Sequence, residues 1–269
     1  MELFFKAIVL GVVEGITEFL PISSTGHLII VNQFINFSGE FAKMFDVVIQ
    51  LGAILSVIVY FWDRLYPFSD AQSLEEKRER WSVWKKTIVA VIPALIIGGM
   101  LGHKVEELLF NPTTVAIALF AGAILLLIVE RRKRTDTTTT VASLTYPGVL
   151  AIGFFQCLAM IPGTSRSAAT IIGAMLLGSS RLVAVEFSFF LAIPTMIAAS
   201  GYSLLKHGGN VSGVEWWALS TGFAVSFLVA WSVIAFLMNY IRRHDFVPFA
   251  YYRILLAAII GVLVYNGSL

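Results

Sequence analysis

Residues 14–27 read Glu14-Gly-Ile-Thr-Glu18-Phe-Leu-Pro21-Ile-Ser23-Ser24-Thr25-Gly26-His27, and residues 162–170 read Pro162-Gly163-Thr164-Ser165-Arg166-Ser167-Ala-Ala-Thr170. Each stretch interrupts an apolar region, the first covering 3–35 and the second 147–178. Proline removes a backbone donor and clashes with the preceding turn, so a helix stops there. The Ser and Thr that follow are good caps for a second helix. The apolar arms are too short to cross a hydrocarbon core of about 30 Å comfortably. A polar break at membrane depth is tolerated only where protein or a water-filled cavity surrounds it. Both stretches are therefore read as re-entrant helical hairpins.

The rest of the chain fits a membrane setting. Of 269 residues, 58% are hydrophobic and only 13% are charged, against about 25% charged in soluble domains. Six further stretches are apolar enough to span, near 41–62, 86–102, 113–130, 182–204, 215–239 and 250–267. The expected fold is an all-α polytopic membrane protein with six transmembrane helices plus two re-entrant hairpins. No soluble domain separates from it. The net charge of +2 is spread over short loops, which argues against a nucleic-acid partner. The single cysteine, Cys157, carries no redox signal. Near the start, Glu14 and Glu18 fall where a signal peptide would be apolar, and no small-residue cleavage site follows, so the start reads as mature protein.

The two broken regions resemble each other. Gly11 to Glu14 aligns with Gly153 to Gln156; after a one-residue gap Pro21 falls on Pro162 and Ser24 on Ser165. The chain then divides into repeats 1–140 and 141–269, each a hairpin followed by three spans, and three crossings invert the second copy. Inverted-topology repeats place their site at the repeat interface near the midplane. Loop charges orient the whole. Arg64, Lys77, Arg78, Arg80, Lys85, Lys86, the run Arg131-Arg132-Lys133-Arg134, Arg181, Arg242 and Arg243 lie on one side, and little more than Lys43, Lys104 and Lys206 on the other. The positive-inside rule makes the first side cytoplasmic and puts both termini outside.

Glu14 and Glu18 are one helical turn apart, inside an apolar stretch. Ionisable groups at that depth usually face an interior cavity. Two hard oxygen ligands so close suit a divalent cation. Next come Ser23, Ser24 and Thr25 at a helix start, with His27 three residues after Ser24, a spacing that can put hydroxyl and imidazole on one face as an activated nucleophile. An ordinary Ser/Thr cap explains the same residues. In the second break, Arg166 offers a donor fork suited to phosphate. A helix start loosened by Gly163, with hydroxyls from Ser165, Ser167 and Thr170, adds an anion site. Alternatively Arg166 pairs with a carboxylate and joins the two hairpins. Phosphoryl transfer from a lipid phosphate would use these parts, and so would a lipid-phosphate or anion carrier.

Together the motifs from Glu14 to His27 and from Pro162 to Thr170 resemble the two signatures of the bacterial undecaprenyl-diphosphate phosphatases, the bacitracin-resistance family. The likeness extends to Phe45-Asp-Val-Val-Ile-Gln50 and Glu186-Phe-Ser-Phe-Phe-Leu-Ala-Ile-Pro194, and so covers essentially the whole chain. It implies hydrolysis of undecaprenyl diphosphate on the outer side of the bacterial inner membrane, with Mg²⁺ or Ca²⁺ as cofactor. Recycling of the cell-wall carrier lipid and bacitracin resistance would follow. By the same resemblance Glu14 and Glu18 would hold the metal or position water. Ser24 would be the nucleophile with His27 its rival, and His27 would otherwise act as acid/base. Arg166 would bind the diphosphate, with Ser23, Thr25, Gly163, Ser165, Ser167 and Thr170 around it. The partners would be a polyprenyl diphosphate and membrane lipids; a homodimer is compatible with this reading.

Other features have plainer readings. Asp46, Gln50 and Glu186 start apolar spans as helix-start or supporting residues. The 63–86 segment is a solvated linker, and Arg131 to Arg134 anchor the topology. His103, His207 and His244 lack metal spacing. Cys157 is a packed thiol, and Pro93 and Pro194 kink their spans.

Overall fold

The computed structural model describes residues 1–69, 72–132, 136–207 and 211–269. The side chain of His207 and, from the basic run, Lys133 and Arg134 lie outside the described residues. The helices are α1 (Glu2–Thr17), α2 (Ser24–Phe34), α3 (Glu40–Tyr60), α4 (Trp62–Leu65), α5 (Leu74–Leu109), α6 (Pro112–Arg131), α7 (Tyr146–Cys157), α8 (Arg166–Leu176), α9 (Arg181–His207), α10 (Gly213–Tyr240) and α11 (Val247–Tyr265). Six of them, α3, α5, α6, α9, α10 and α11, are long and apolar enough to cross a membrane. The two breaks fall where the prolines put them, between α1 and α2 and between α7 and α8. At 11 residues each, α2 and α8 are only about 17 Å long.

One segment differs from the sequence expectation. The 63–86 stretch is largely helical: α4 occupies its start and α5 begins at Leu74. The cause is a capping box, in which Ser73 Oγ accepts from Glu76 N–H and the Glu76 carboxylate accepts from Ser73 N–H. Residues 75–80 are all charged, which ends an apolar window, but Glu, Lys and Arg are good helix formers. As a result α5 runs for 36 residues, about 54 Å. Pro93 and Pro194 both lie inside helices that continue past them.

Helix α9 is the most buried of the long helices and packs against α3, α5 and α8. Around this centre α10 packs on α1 and α3, α5 on α7, and α6 on α11. Glycines set the closest approaches. A Cβ on Gly11 or Gly15 of α1 would lie 2.7 Å from Gly222 O or 2.8 Å from Ser226 O of α10. A Cβ on Gly153 of α7 would strike the Ala90 carbonyl of α5. At one end of the bundle several chain junctions interlock. Arg64 pairs with Glu186 at 2.6 Å, Arg181 with Glu130 at 2.5 Å, Glu130 accepts from Phe246 N–H, and Lys86 donates to Ala142 O. The chain start is at the other end, where Lys6 donates to Asn36 O and Leu3, Phe37, Leu204 and Val211 share a cluster.

Gly15→Val in α1 should destabilise the protein by about 1–3 kcal/mol through overpacking against α10. Gly99→Val on α5, where an added Cβ meets nothing within 4 Å, should not. Thermal unfolding of the two variants in detergent checks the difference.

Candidate active site at the meeting of the two chain breaks

Each break ends in a serine that caps the following helix from a strained backbone. Ser23 has φ 73° and Ser165 has φ 71°, a region non-glycine residues seldom visit. Glycine would be easier there but could not cap. Ser23 Oγ accepts from Gly26 N–H at 3.3 Å, and Ser165 Oγ accepts from Ala168 N–H at 3.2 Å. These matched caps are 142 positions apart (165 less 23), as are Glu14 and Gln156. At that offset Ser165 falls on Ser23 and Gly163 on Pro21, where the sequence alignment paired Ser165 with Ser24 and Pro162 with Pro21.

The breaks meet inside the bundle. Arg166, at the first position of α8, places Nη2 2.9 Å from Glu18 Oε1, and both side chains are buried. The other Glu18 oxygen, Oε2, accepts from Ser24 Oγ at 2.7 Å. Arg166 also donates through Nη1 to Ser188 O at 2.8 Å and to Ser188 Oγ at 3.3 Å, and lies 6.0 Å from the Phe19 ring centre. Thr170 Oγ1 donates to Ser188 Oγ at 2.7 Å. Across the breaks Ser167 Oγ donates to Leu20 O at 2.9 Å. One carboxylate thus holds the hydroxyl of one loop and the arginine of the other.

Glu14 is fully buried, and neither of its oxygens has a hydrogen-bond partner. The charged groups facing it are Glu18, Asp46 and Arg166. Asp46 accepts from Asn32 Nδ2 at 2.7 Å, and both Asp46 Oδ1 and Asn32 Oδ1 are buried without a donor. Among the described residues no group of three or more His, Cys, Asp or Glu converges as a complete metal site. An orphaned carboxylate beside Glu18 does fit a Mg²⁺-like cation, which binds through one or two carboxylates and takes its remaining ligands from water and phosphate.

The sequence-predicted residues therefore divide. Glu14, Glu18, Ser24 and Arg166 come together. His27 is turned elsewhere: Nδ1 donates to Ser23 O at 2.8 Å, so in the neutral ring Nε2 accepts from the Tyr252 hydroxyl at 2.7 Å. It does not pair with Ser24 as the spacing suggested, because the α2 cap draws it to its own turn. Thr25 is half-buried beside Ser24. The second-break hydroxyls are already engaged: Ser165 with Ala168 N–H and Ser167, Ser167 with Leu20 O, and Thr170 with Arg166 O and Ser188. Gly163, at φ 92°, presses its backbone on Val115, where a Cβ would come within 2.5 Å of the carbonyl. Glu186 does not join this cluster and pairs instead with Arg64 at the interlocked end of the bundle. Cys157 packs at the end of α7, its thiol 3.4 Å from Gly153 O.

Three participants escaped the sequence reading. Ser188 and Tyr252 gave no signal, being an ordinary serine and tyrosine in apolar helices. Arg253 did give one: it is the charged residue of the 250–267 span, and it is fully buried.

Six helices long and apolar enough to span, packed around a buried hydroxyl, carboxylate pair and arginine, define a multi-pass membrane protein. Residues 7–259 match the family described as bacitracin resistance protein BacA, and the chain belongs to that family. It is 51% identical over 258 residues to "Undecaprenyl-diphosphatase 1" of Clostridioides difficile, covering 95% of this chain and 94% of that protein. It is 51% identical over 259 residues to the undecaprenyl-diphosphatase of Acetivibrio thermocellus, covering 95% of each. Against the undecaprenyl-diphosphatase of Lactiplantibacillus plantarum it is 48% identical over 267 residues, covering 97% of this chain and 96% of that protein.

Removing one partner of a buried ion pair typically costs about 3–5 kcal/mol. Arg166→Met should cost that much, and Glu18→Gln with Arg166→Met should cost less than the sum of the single changes. A double-mutant cycle by thermal unfolding tests the pair.

Proposed function

We infer that the chain is a membrane phosphatase that hydrolyses undecaprenyl diphosphate to undecaprenyl phosphate and phosphate. It recycles the cell-wall carrier lipid and so confers bacitracin resistance. The observation that carries this reading is the single Glu18 carboxylate shared by Ser24 and Arg166, in a chain that matches named undecaprenyl-diphosphatases along nearly its whole length.

Ser24 is the nucleophile in this reading. Its hydroxyl already donates to Glu18, an oriented base within hydrogen-bond reach. Both nitrogens of His27, the rival, are engaged away from it. The diphosphate draws Arg166 off Glu18 and takes its donor fork. Glu18, whose Oε2 already accepts from the Ser24 hydroxyl, takes the serine proton. Ser24 Oγ then bonds the terminal phosphorus, the bridging P–O bond breaks, and undecaprenyl phosphate leaves. Water hydrolyses the phosphoserine to phosphate and regenerates the hydroxyl. Glu14 and Glu18 would hold a divalent cation, Mg²⁺ or Ca²⁺, which when bound neutralises charge on the diphosphate. Ser23 and Thr25 flank the reacting hydroxyl, and Gly163, Ser165, Ser167 and Thr170 shape the loop that carries Arg166.

In the same reading the two breaks are the tips of re-entrant hairpins, and the repeats 1–140 and 141–269 are inverted copies. Support comes from α2 and α8, both 11 residues long behind a strained serine cap. Exchanging the halves also exchanges the α1–α10 contact with the α7–α5 contact. The protein sits in the bacterial inner membrane. Its interlocked end, rich in Arg64, Arg131, Arg181, Arg242 and Arg243, is cytoplasmic; both termini and the site opening face outward.

Purified protein in detergent should release phosphate from undecaprenyl diphosphate, lose that activity in chelator and regain it with Mg²⁺ or Ca²⁺. Ser24→Ala and Glu14→Gln should each lower turnover by about a hundredfold or more while folding normally. Full activity in chelator would remove the metal from this account, and an active Ser24→Ala would remove the serine.

A further inference from the structure

Arg253, in the second turn of α11, is the largest of the fully buried side chains. Its five hydrogen bonds all run to main-chain carbonyls. Nη1 donates to Pro21 O at 3.2 Å in the first break. Nη2 donates to Gly163 O at 3.2 Å and Thr164 O at 3.1 Å in the second. On α6, Nη2 also reaches Ala118 O at 3.3 Å and Nε reaches Leu119 O at 3.2 Å. One planar donor fork therefore ties the backbones of both breaks to a spanning helix. Gly122 of α6 makes room for it, since a Cβ there would strike Nη2.

This link differs in kind from the Glu18–Arg166 pair. In the phosphatase reading that pair opens when Arg166 turns to the diphosphate, whereas the carbonyls of Pro21, Gly163 and Thr164 take no part in the chemistry. We propose that Arg253 is a positioning residue that fixes the register of the Ser24 loop against the Arg166 loop while the substrate lies between them. The proposal rests on the phosphatase reading. Binding of the diphosphate draws mainly on the Arg166 loop, while attack needs Ser24 in line from the other. Slack between the loops therefore weakens the transition state more than substrate binding. Lysine cannot replace the fork, because its single ammonium on a flexible stem cannot reach carbonyls spread over three segments.

The test is steady-state phosphate release from undecaprenyl diphosphate by the wild type, Arg253→Lys and Gly122→Ala, each corrected for its folded fraction by size-exclusion chromatography. Gly122→Ala leaves the arginine in place and pushes its far end off the carbonyls, so it decides the question even where Arg253→Lys does not fold. We expect kcat to fall about tenfold or more in both variants, with KM within about threefold of the wild type. Normal kcat per folded molecule with lowered thermal stability would reduce Arg253 to a packing role and overturn the proposal. A raised KM at unchanged kcat would also overturn it. A wild type that releases no phosphate would overturn the phosphatase reading and this inference with it, whereas an active wild type beside equally active variants overturns this inference alone.

Discussion

Glu18 sits where the two chain breaks meet and carries the one charge pair described between them. Its oxygens accept from Ser24 on one side and from Arg166 on the other. In a membrane interior the cost of leaving either charge unpaired is several kcal/mol, so the pair forces the breaks to close on each other. The same closeness makes the arrangement chemical. In the proposed reaction the carboxylate held between the hydroxyl and the arginine would act as the base for the hydroxyl once an anion takes the arginine. The resting contact and the reaction thus share one residue.

The breaks can meet only because their backbones are cared for. A helix interrupted at membrane depth leaves carbonyls and N–H groups without partners. The N–H side is met locally, by Ser23 and Ser165 in a strained conformation that costs about 1–3 kcal/mol each. The carbonyl side is met from a distance, by the Arg253 fork and by Ser167 on Leu20 O. Local strain and a long-range guanidinium together replace the water a soluble loop would use.

Much of the fold was legible because its signals are one-dimensional. Apolar runs of span length marked all six long helices, and Pro21 and Pro162 marked both breaks. The beginning of α5 was not legible, since a charged run satisfies helix propensity while failing hydropathy, and the Ser73–Glu76 box that decides it is a short-range pattern inside that run. Glu14, Glu18, Ser24 and Arg166, singled out by residue type and depth, do come together in the structure. The orientation of His27 was not legible. A three-residue spacing fixes only the side of the helix, while its partners, a carbonyl of its own cap and Tyr252 from the far end of the chain, are set by tertiary packing.

Arg253 shows where such reading stops short. Its burial in an apolar span was visible, but its purpose was not, because its partners are carbonyls and every residue has one. A search for opposite charge finds Arg166 and Glu18 and passes over it. Yet a carbonyl partner suits a permanent brace better than a carboxylate would. It carries no net charge and does not titrate in the physiological range, so the contact does not depend on a protonation state. The two buried arginines thus divide by partner, Arg166 with a carboxylate and Arg253 with main-chain carbonyls alone, which is the division that the proposed roles require.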